Sequence, residues 1–174
     1  MPIKIIGMVI VMAACVTAGL YYGNIQNYRF SDLSEMKRAL AILAAEIEFA
    51  RAPLPEAARS IALRVKPPVS DVFENFRGTL VQARADAEPW ELWETSLSGN
   101  ADELYFNRED LEQLAAFGKM LGKLDRKAQL GNIDIVSGYI DSQLQYLNSR
   151  RHEIRKLFGG LGVISGLLAV IIFI

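Results

Sequence analysis

The most constraining feature of the sequence is an uncharged apolar run, Leu157–Ile174, that directly follows a basic cluster. Four residues of that cluster, Arg150, Arg151, Arg155 and Lys156, carry fixed positive charge. At about 1.5 Å of rise per residue, a helix of this length is just able to cross a bilayer core of about 30 Å. The run therefore predicts a C-terminal transmembrane helix over 157–174.

A second apolar run, Ile3–Tyr22, lies near the other end of the chain and is interrupted by one charge, Lys4. Its length predicts an N-terminal transmembrane helix over 1–24. A cleaved or lipid-modified leader is the alternative, because Lys4 is a plausible positive start and "MAAC" at Met12–Cys15 resembles a lipoprotein cleavage site. Met12 replaces the usual branched residue, however, and the apolar run continues past Cys15. Both observations favour a retained helix.

Two membrane helices place everything between them, residues 27–156, on one side of the membrane. Basic residues close to the membrane segments favour the cytoplasm, and both ends of this middle segment are basic. The rule weakens for loops longer than about 60 residues, but we expect a cytoplasmic domain in the cell membrane. The formal net charge of −1 argues against nucleic-acid binding, which usually needs a basic face.

Apolar residues in the middle segment recur at steps of three and four, as on one face of a helix. Strand-like alternation is not found between the two apolar runs. The sequence therefore predicts an all-α bundle of about six helices, since each apolar stripe needs a partner face. The principal stripes are Leu33, Met36, Leu40, Leu43 and Ile47; Leu54, Ala58, Ile61 and Val65; Val72, Phe73, Phe76 and Leu80; Trp90, Trp93 and Leu97; Leu111, Leu114, Phe117 and Leu121; and Leu130, Ile133, Ile140, Leu144 and Leu147.

Polar residues and prolines predict where these helices begin. Ser31 or Asp32 is the expected cap of the first helix, and Asn107 that of the fifth. Prolines suit a first helical turn, so Pro53 and Pro89 predict the starts of the second and fourth helices. Between Pro89 and the C-terminus there is no proline, so the last helix is expected to run into the C-terminal membrane segment.

The sequence does not assemble a catalytic, metal or cofactor site. A single cysteine, Cys15, and a single histidine, His152, remove most zinc and Cys–His chemistry from consideration. "FGKMLGKLD" lacks the spacing of a phosphate-binding loop and lies in a helical stretch. We therefore expect a non-enzymatic protein without a small-molecule substrate. Glu46 lies close to an apolar stripe, where a salt bridge or hydrogen bond to a neighbouring helix is expected, with a partner contact as the alternative.

Two pairs of glycines suggest close helix packing. Gly118 and Gly122 are four residues apart on a predicted helix, where each costs on the order of 1 kcal/mol relative to alanine. Close approach of another helix would offset that cost. Alternatively Gly122 ends the helix and Asp125 caps the next, or the pair forms a docking surface. Gly162 and Gly166 give the C-terminal segment a small-residue face suited to membrane-helix pairing, or to neutral intramolecular packing.

Two stretches, "MKRALAILAAEIEFARAPLPEA" and "FGKMLGKLDRKAQ", together with the two-helix layout, resemble the stage III sporulation protein AB family of endospore-forming bacteria. The resemblance covers nearly the whole chain. The matching positions are Leu40, Leu43, Glu46, Ile47, Pro53, Leu54, Glu56 and Ala57 in the first stretch, and Phe117, Gly118, Leu121, Gly122, Asp125 and Gln129 in the second.

The resemblance implies a component of the channel between mother cell and forespore, held in the mother-cell membrane around the forespore. The family's soluble domain is similar to the helical domain of the platform protein of type II secretion and type IV pilus systems. Those proteins carry two such domains, so self-association is a further expectation. The implied partners are a secretion-type ATPase, stage III sporulation protein AA, and other channel components. An extracytoplasmic, membrane-anchored or lipid-anchored binding protein is the rival hypothesis.

The matched positions also give a candidate surface for partner contact or packing. It consists of Glu46, Pro53, Leu54, Glu56, Gly118, Gly122, Asp125 and Gln129.

Overall fold

The computed structural model describes the backbone of residues 25–50, 52–84, 87–121 and 125–173, and the side chains of these ranges as far as residue 150. The N-terminal helix predicted over 1–24 therefore lies outside the described residues. So do the side chains of the predicted C-terminal membrane segment. Among the residues whose side chains are described, no helix has both the length and the apolarity needed to cross a membrane.

Helices make up the fold throughout the described residues, and no strand occurs among them. The first helix, α1, covers residues 25–45 and passes into one π-helical turn, Glu46–Ala50. The remaining elements are α2 (Leu54–Ala62), α3 (Val69–Gln82), α4 (Pro89–Gly99), α5 (Arg108–Gly118) and α6 (Arg126–Phe173). The prediction of an all-α bundle of about six helices is confirmed in this part of the chain.

Most helix starts were predicted correctly because their signals are local. Pro53 is the N-cap residue of α2, and Pro89 is the first residue of α4. Asn107 and Asp110 form a capping box at the start of α5: the Asn107 side chain accepts from the Asp110 N–H (2.8 Å), and the Asp110 carboxylate accepts from the Asn107 N–H (2.9 Å). At the start of α6, Asp125 Oδ1 accepts from the N–H of Ala128 (2.8 Å).

The predicted start of the first helix was wrong. Residues 25–30 are already helical, so Ser31 and Asp32 lie inside α1 and do not cap it. The Asp32 carboxylate is buried and accepts a hydrogen bond from the N–H of Tyr105 (2.9 Å), which belongs to the segment between α4 and α5. Aspartate favours helix caps, but Asp32 instead links two segments that are distant in sequence. Sequence spacing alone does not distinguish a capping role from such a link.

The core is centred on Trp93, which is fully buried. Its ring centroid lies 5.3 Å from those of Phe73 and Phe76 and 5.9 Å from that of Phe117. Its indole N–H donates to the carbonyl of Leu114 (2.8 Å), so the polar atom of this large side chain is satisfied. This arrangement joins α3, α4 and α5 through one residue. Apolar residues predicted for the stripes form the surrounding core, among them Leu33, Met36, Leu40, Leu43, Ala58, Ile61, Val72, Ile133, Ile140 and Leu147.

Helices α1 and α6 run antiparallel along the bundle. Arg29 bonds Gln143, Lys37 pairs with Asp141, and the carbonyl of Glu48 accepts from Arg126, so contacts later in α1 are made by residues earlier in α6. From Arg126, α6 continues without a break to Phe173, as predicted.

Candidate functional site

The two ends of the bundle differ in chemistry. We call one the turn end: it comprises the π-helical turn Glu46–Ala50, the start of α2, the end of α5 and the start of α6. The other is the network end, which comprises Arg29, Asp110, Tyr139 and Gln143. The first described residues of α1 and the continuation of α6 beyond the bundle both lie on the side of the network end.

At the turn end, the π-helical turn is held by one hydrogen bond to each of two neighbouring helices. Ser60 Oγ, on α2, donates to Glu46 Oε1 (2.6 Å), and the Arg126 guanidinium, at the start of α6, donates to the carbonyl of Glu48. The hydrogen bond expected for Glu46 to a neighbouring helix is thus confirmed.

The turn also presents an aromatic side chain to solvent. Phe49 is 79% exposed, although phenylalanine usually lies in a core. Phe49 was not predicted as a surface residue because the apolar stripe of α1 continues to Ile47 and gives no sign of the wider turn. A signal was nevertheless present, since prolines at 53 and 55 require the preceding helix to end.

The predicted partner-surface residues at the turn end are differently exposed. Pro53 and Glu56 are exposed at the start of α2, Leu54 and Gln129 are half-buried, and Asp125 is exposed. Beneath this surface lies a narrow apolar crevice, too tight for a water molecule, whose lining includes Leu54, Phe117 and Leu121. The structure thus brings these parts of the predicted surface to one end of the bundle, and their role in partner contact stays a prediction.

The predicted glycines have different outcomes. Gly118 is the buried last residue of α5, and a Cβ placed there would collide with Cδ1 of Trp93 and lie 2.8 Å from its Nε1. Close approach of another element at Gly118 is therefore confirmed. Gly122 lies outside the described residues, and α5 ends at Gly118, so α5 does not carry both glycines. Gly162 and Gly166 fall in the part of α6 whose side chains are not described.

The network end holds a buried ion pair that the sequence analysis did not find. Arg29 donates from Nε to Asp110 Oδ2 (2.8 Å) and from Nη2 to Asp110 Oδ1 (2.9 Å), which gives a bidentate pair. Oδ1 of Asp110 also accepts from the Tyr139 hydroxyl (2.8 Å), and Arg29 Nη2 donates to Gln143 Oε1 (2.9 Å). The Asp110 side chain is only 1% exposed. This network joins α1, α5 and α6.

Burial and hydrogen bonding shift the titration of groups near the network end. The hydrogen bond to Asp110 raises the pKa of Arg29, against an opposing effect of burial. Burial, followed by the hydrogen bond to Asp110, raises the pKa of the Tyr139 hydroxyl well above its usual value. Arg29 therefore stays charged and Tyr139 stays protonated at neutral pH. The proton of Tyr139 remains available for its bond to Asp110.

Among the residues whose side chains are described, no group of three or more His, Cys, Asp or Glu side chains is placed to hold a metal ion. The described residues form a helical bundle. A buried polar network lies at one end of the bundle, and an exposed phenylalanine lies at the other.

These features define a helical-bundle protein whose buried polar groups are used for packing. The family model "Stage III sporulation protein AB" matches residues 4–174, and the chain belongs to this family. A relative of that description from Bacillus subtilis (strain 168) is 28% identical over 170 residues, which cover 98% of each chain. A solved structure of a stage III sporulation protein AB (SpoIIIAB) superposes with a TM-score of 0.67 at 27% identity, over 72% of this chain and 98% of that one. The chain accordingly has a role in sporulation.

Proposed function

We propose that the chain is a non-enzymatic platform subunit of the channel between mother cell and forespore. Membrane segments at 1–24 and 157–174 hold it in the mother-cell membrane, and the bundle faces the cytoplasm. The observation that carries the proposal is the antiparallel course of α1 and α6. The first described residues of α1 and the continuation of α6 both lie at the network end, which is the arrangement that a membrane hairpin would require.

In this proposed arrangement the turn end lies on the side of the bundle away from the membrane. Glu48 is nineteen positions after Arg29 along α1 and its π-helical turn, a distance of roughly 28 Å along the helix axis. In this orientation Phe49 faces the cytoplasm, on a turn that is bonded by Ser60 and Arg126. A secretion-type ATPase is the partner that the family resemblance implies, and the turn end is the surface we assign to it. ATP hydrolysis belongs to that neighbour.

Binding to the ATPase tests the docking surface. The full-length chain in lipid vesicles would be titrated with purified stage III sporulation protein AA. Phe49→Ser should weaken binding by about fivefold or more, because a truncated aromatic anchor typically costs over 1 kcal/mol. Leu63→Ser is the matched control, since Leu63 is equally exposed (77%) but lies just beyond the other end of α2. Equal binding by the two variants would remove the turn end as the docking surface.

Topology tests the membrane arrangement separately. Cys15→Ser combined with Asp102→Cys places one thiol on an exposed loop of the bundle. A membrane-impermeant thiol reagent should label this cysteine only after lysis. Labelling in intact cells would place the bundle outside and favour the rival hypothesis, an extracytoplasmic membrane-anchored or lipid-anchored binding protein.

A further inference from the structure

Two half-exposed tyrosines from different segments stack on each other beside the network end. Tyr28 lies on α1 directly before Arg29, and Tyr105 lies on the segment between α4 and α5. Their ring centroids are 4.7 Å apart with an interplanar angle of 27°, yet 49% of Tyr28 and 43% of Tyr105 remain exposed. We call these two residues the tyrosine pair. The pair combines apolar ring surface with two hydroxyl groups.

The segment that carries Tyr105 is fixed to the bundle on both sides of that residue. The N–H of Tyr105 donates to the buried Asp32 carboxylate (2.9 Å). Leu104, directly before it, is buried in the core, and Asn107, two residues later, caps α5. The fold therefore sets the position of the Tyr105 ring against α1, and that position is half-exposed.

The tyrosine pair lies close to the predicted N-terminal membrane segment. The apolar run ends at Tyr22, and α1 is described from Ile25 onward. Tyr28 lies within about 15 Å of the end of that run, since three extended residues span about 11 Å at most and three helical residues about 4.5 Å. The headgroup layer of a bilayer is about 5–8 Å thick on each side of the hydrocarbon core. The chain itself therefore keeps the pair within reach of that layer.

The chemistry of the tyrosine pair suits lipid headgroups. Tyrosine is enriched at membrane–water interfaces, where its ring lies against lipid and its hydroxyl group meets water. The buried ion pair next to Tyr28 joins one positive and one negative side chain, so its charges offset each other. Two exposed carboxylates, Asp102 and Glu103, precede Tyr105 on its segment. Anionic lipids would repel these carboxylates, so the surface fits zwitterionic headgroups.

We propose that the tyrosine pair contacts the lipid headgroup layer and seats the network end of the bundle on the bilayer. The inference rests on the proposed function, because it needs the membrane segment at 1–24. It adds a contact made by a segment that is remote in sequence from both predicted membrane segments. Together with those segments, this contact fixes the orientation of the bundle on the bilayer.

Quenching by a labelled lipid tests the contact. The full-length chain with Cys15→Ser and Asp102→Cys, carrying a thiol-linked fluorophore, would be placed in phosphatidylcholine vesicles that contain a lipid with a nitroxide on its headgroup. Met120→Cys is the control, since Met120 is 44% exposed and lies beyond the opposite end of α5. We expect severalfold more quenching at position 102, because nitroxide quenching needs near contact and the 11 residues of α5 extend over roughly 16 Å.

Removal of one ring separates the contribution of the tyrosine pair from mere nearness to the membrane. Tyr105→Ser, added to Asp102→Cys, should lower the quenching at position 102 by about twofold or more, because the contribution of an aromatic pair corresponds to at least that factor in an equilibrium. Tyr105→Trp should retain the quenching, since tryptophan also favours the interface. Tyr146→Ser should leave it unchanged, because Tyr146 is an exposed tyrosine (50%) outside the pair.

Three results would each overturn the inference: equal quenching at positions 102 and 120, no loss with Tyr105→Ser, or quenching that appears only when phosphatidylglycerol is added. The last would assign the contact to the basic cluster before Leu157. The same cysteine keeps this failure distinct from failure of the proposed function. Protection of Asp102→Cys in intact cells without quenching in vesicles rejects the tyrosine contact alone. Labelling in intact cells together with quenching supports the contact and rejects the cytoplasmic orientation.

Discussion

At the scale of single residues, Asp110 connects more segments than its place in a helix cap indicates. Its carboxylate accepts from Arg29 on α1, from the N–H of Asn107 and from Tyr139 on α6. The cap was readable from the sequence because Asn107 and Asp110 are three residues apart. The ion pair could not be predicted, because Arg29 is 81 positions away from Asp110. A basic residue near an apolar run is also expected on the grounds of membrane topology alone, so Arg29 did not stand out.

Asp110→Asn should destabilise the protein by about 3–5 kcal/mol, since it leaves the Arg29 charge buried without its counter-charge. The free energy of unfolding, measured by urea titration, would show this. Glu112→Gln is the control: it removes a carboxylate from an exposed pair with Arg108 in the same helix, and we expect a change below about 1 kcal/mol. Similar losses for both variants would mean that the buried pair contributes no more than a surface pair.

Gly118→Ala should destabilise the protein by about 1–3 kcal/mol, because the new methyl group collides with the Trp93 ring in a packed core. Gly78→Ala, in α3, has open space around its Cβ and should instead stabilise by roughly 0.5–1 kcal/mol. Thermal unfolding of the two variants should therefore shift in opposite directions. A stabilising effect at Gly118 would show that α5 withdraws from Trp93 without cost.

The stability contributed by Asp32 should depend on pH. Burial raises the pKa of its carboxyl above the usual value, and the hydrogen bond from Tyr105 opposes this only in part. The protonated form therefore favours folding; this contribution is present below the pKa of the unfolded chain and is lost as the pH rises through the pKa of the folded protein. Asp32→Asn lacks this loss, so its stability relative to the wild type should increase from acidic to neutral pH. A constant difference in unfolding free energy across that range would contradict the assignment.

At the scale of elements, the helices could be predicted where their signals are local. Apolar spacing identified the buried faces, and prolines or capping residues fixed the starts of α2, α4, α5 and α6. The start of α1 was misplaced because Asp32 has the residue type of a cap but bonds to Tyr105. The π-helical turn was not predicted, since it depends on bonds from Ser60 and Arg126 that are remote in sequence.

The start of α5 offers a test of an element. Asn107→Ala removes the side-chain acceptor of the capping box and should cost about 1 kcal/mol, within a range of about 0.5–2. Asn148→Ala replaces an exposed asparagine inside α6, where alanine has the higher helix propensity, and should not destabilise. Urea unfolding of both variants compares the two effects. A neutral Asn107→Ala would indicate that Asp110 alone suffices to begin the helix.

At the scale of the whole molecule, contacts between helices that are distant in sequence determine which candidate residues are buried and which are exposed. The candidate surface in the sequence contained positions of both kinds: Gly118 is buried against Trp93, whereas Glu56 and Asp125 are exposed at the turn end. Residue type and family resemblance do not distinguish packing from exposure. Phe49 illustrates the reverse case: phenylalanine usually lies in a core, whereas the fold exposes this one.

The unbroken course of α6 has a mechanical consequence. A helix of 48 residues is about 72 Å long, at 1.5 Å of rise per residue. Arg126 lies 17 residues, or roughly 25 Å, from Gln143 at the network end, so a tilt of about 5° about that end displaces it by about 2 Å. Because Arg126 bonds the carbonyl of Glu48, the displacement reaches the turn that carries Phe49. The bond from α6 to the carbonyl of Glu48 thus couples a tilt of this helix to the position of the exposed phenylalanine.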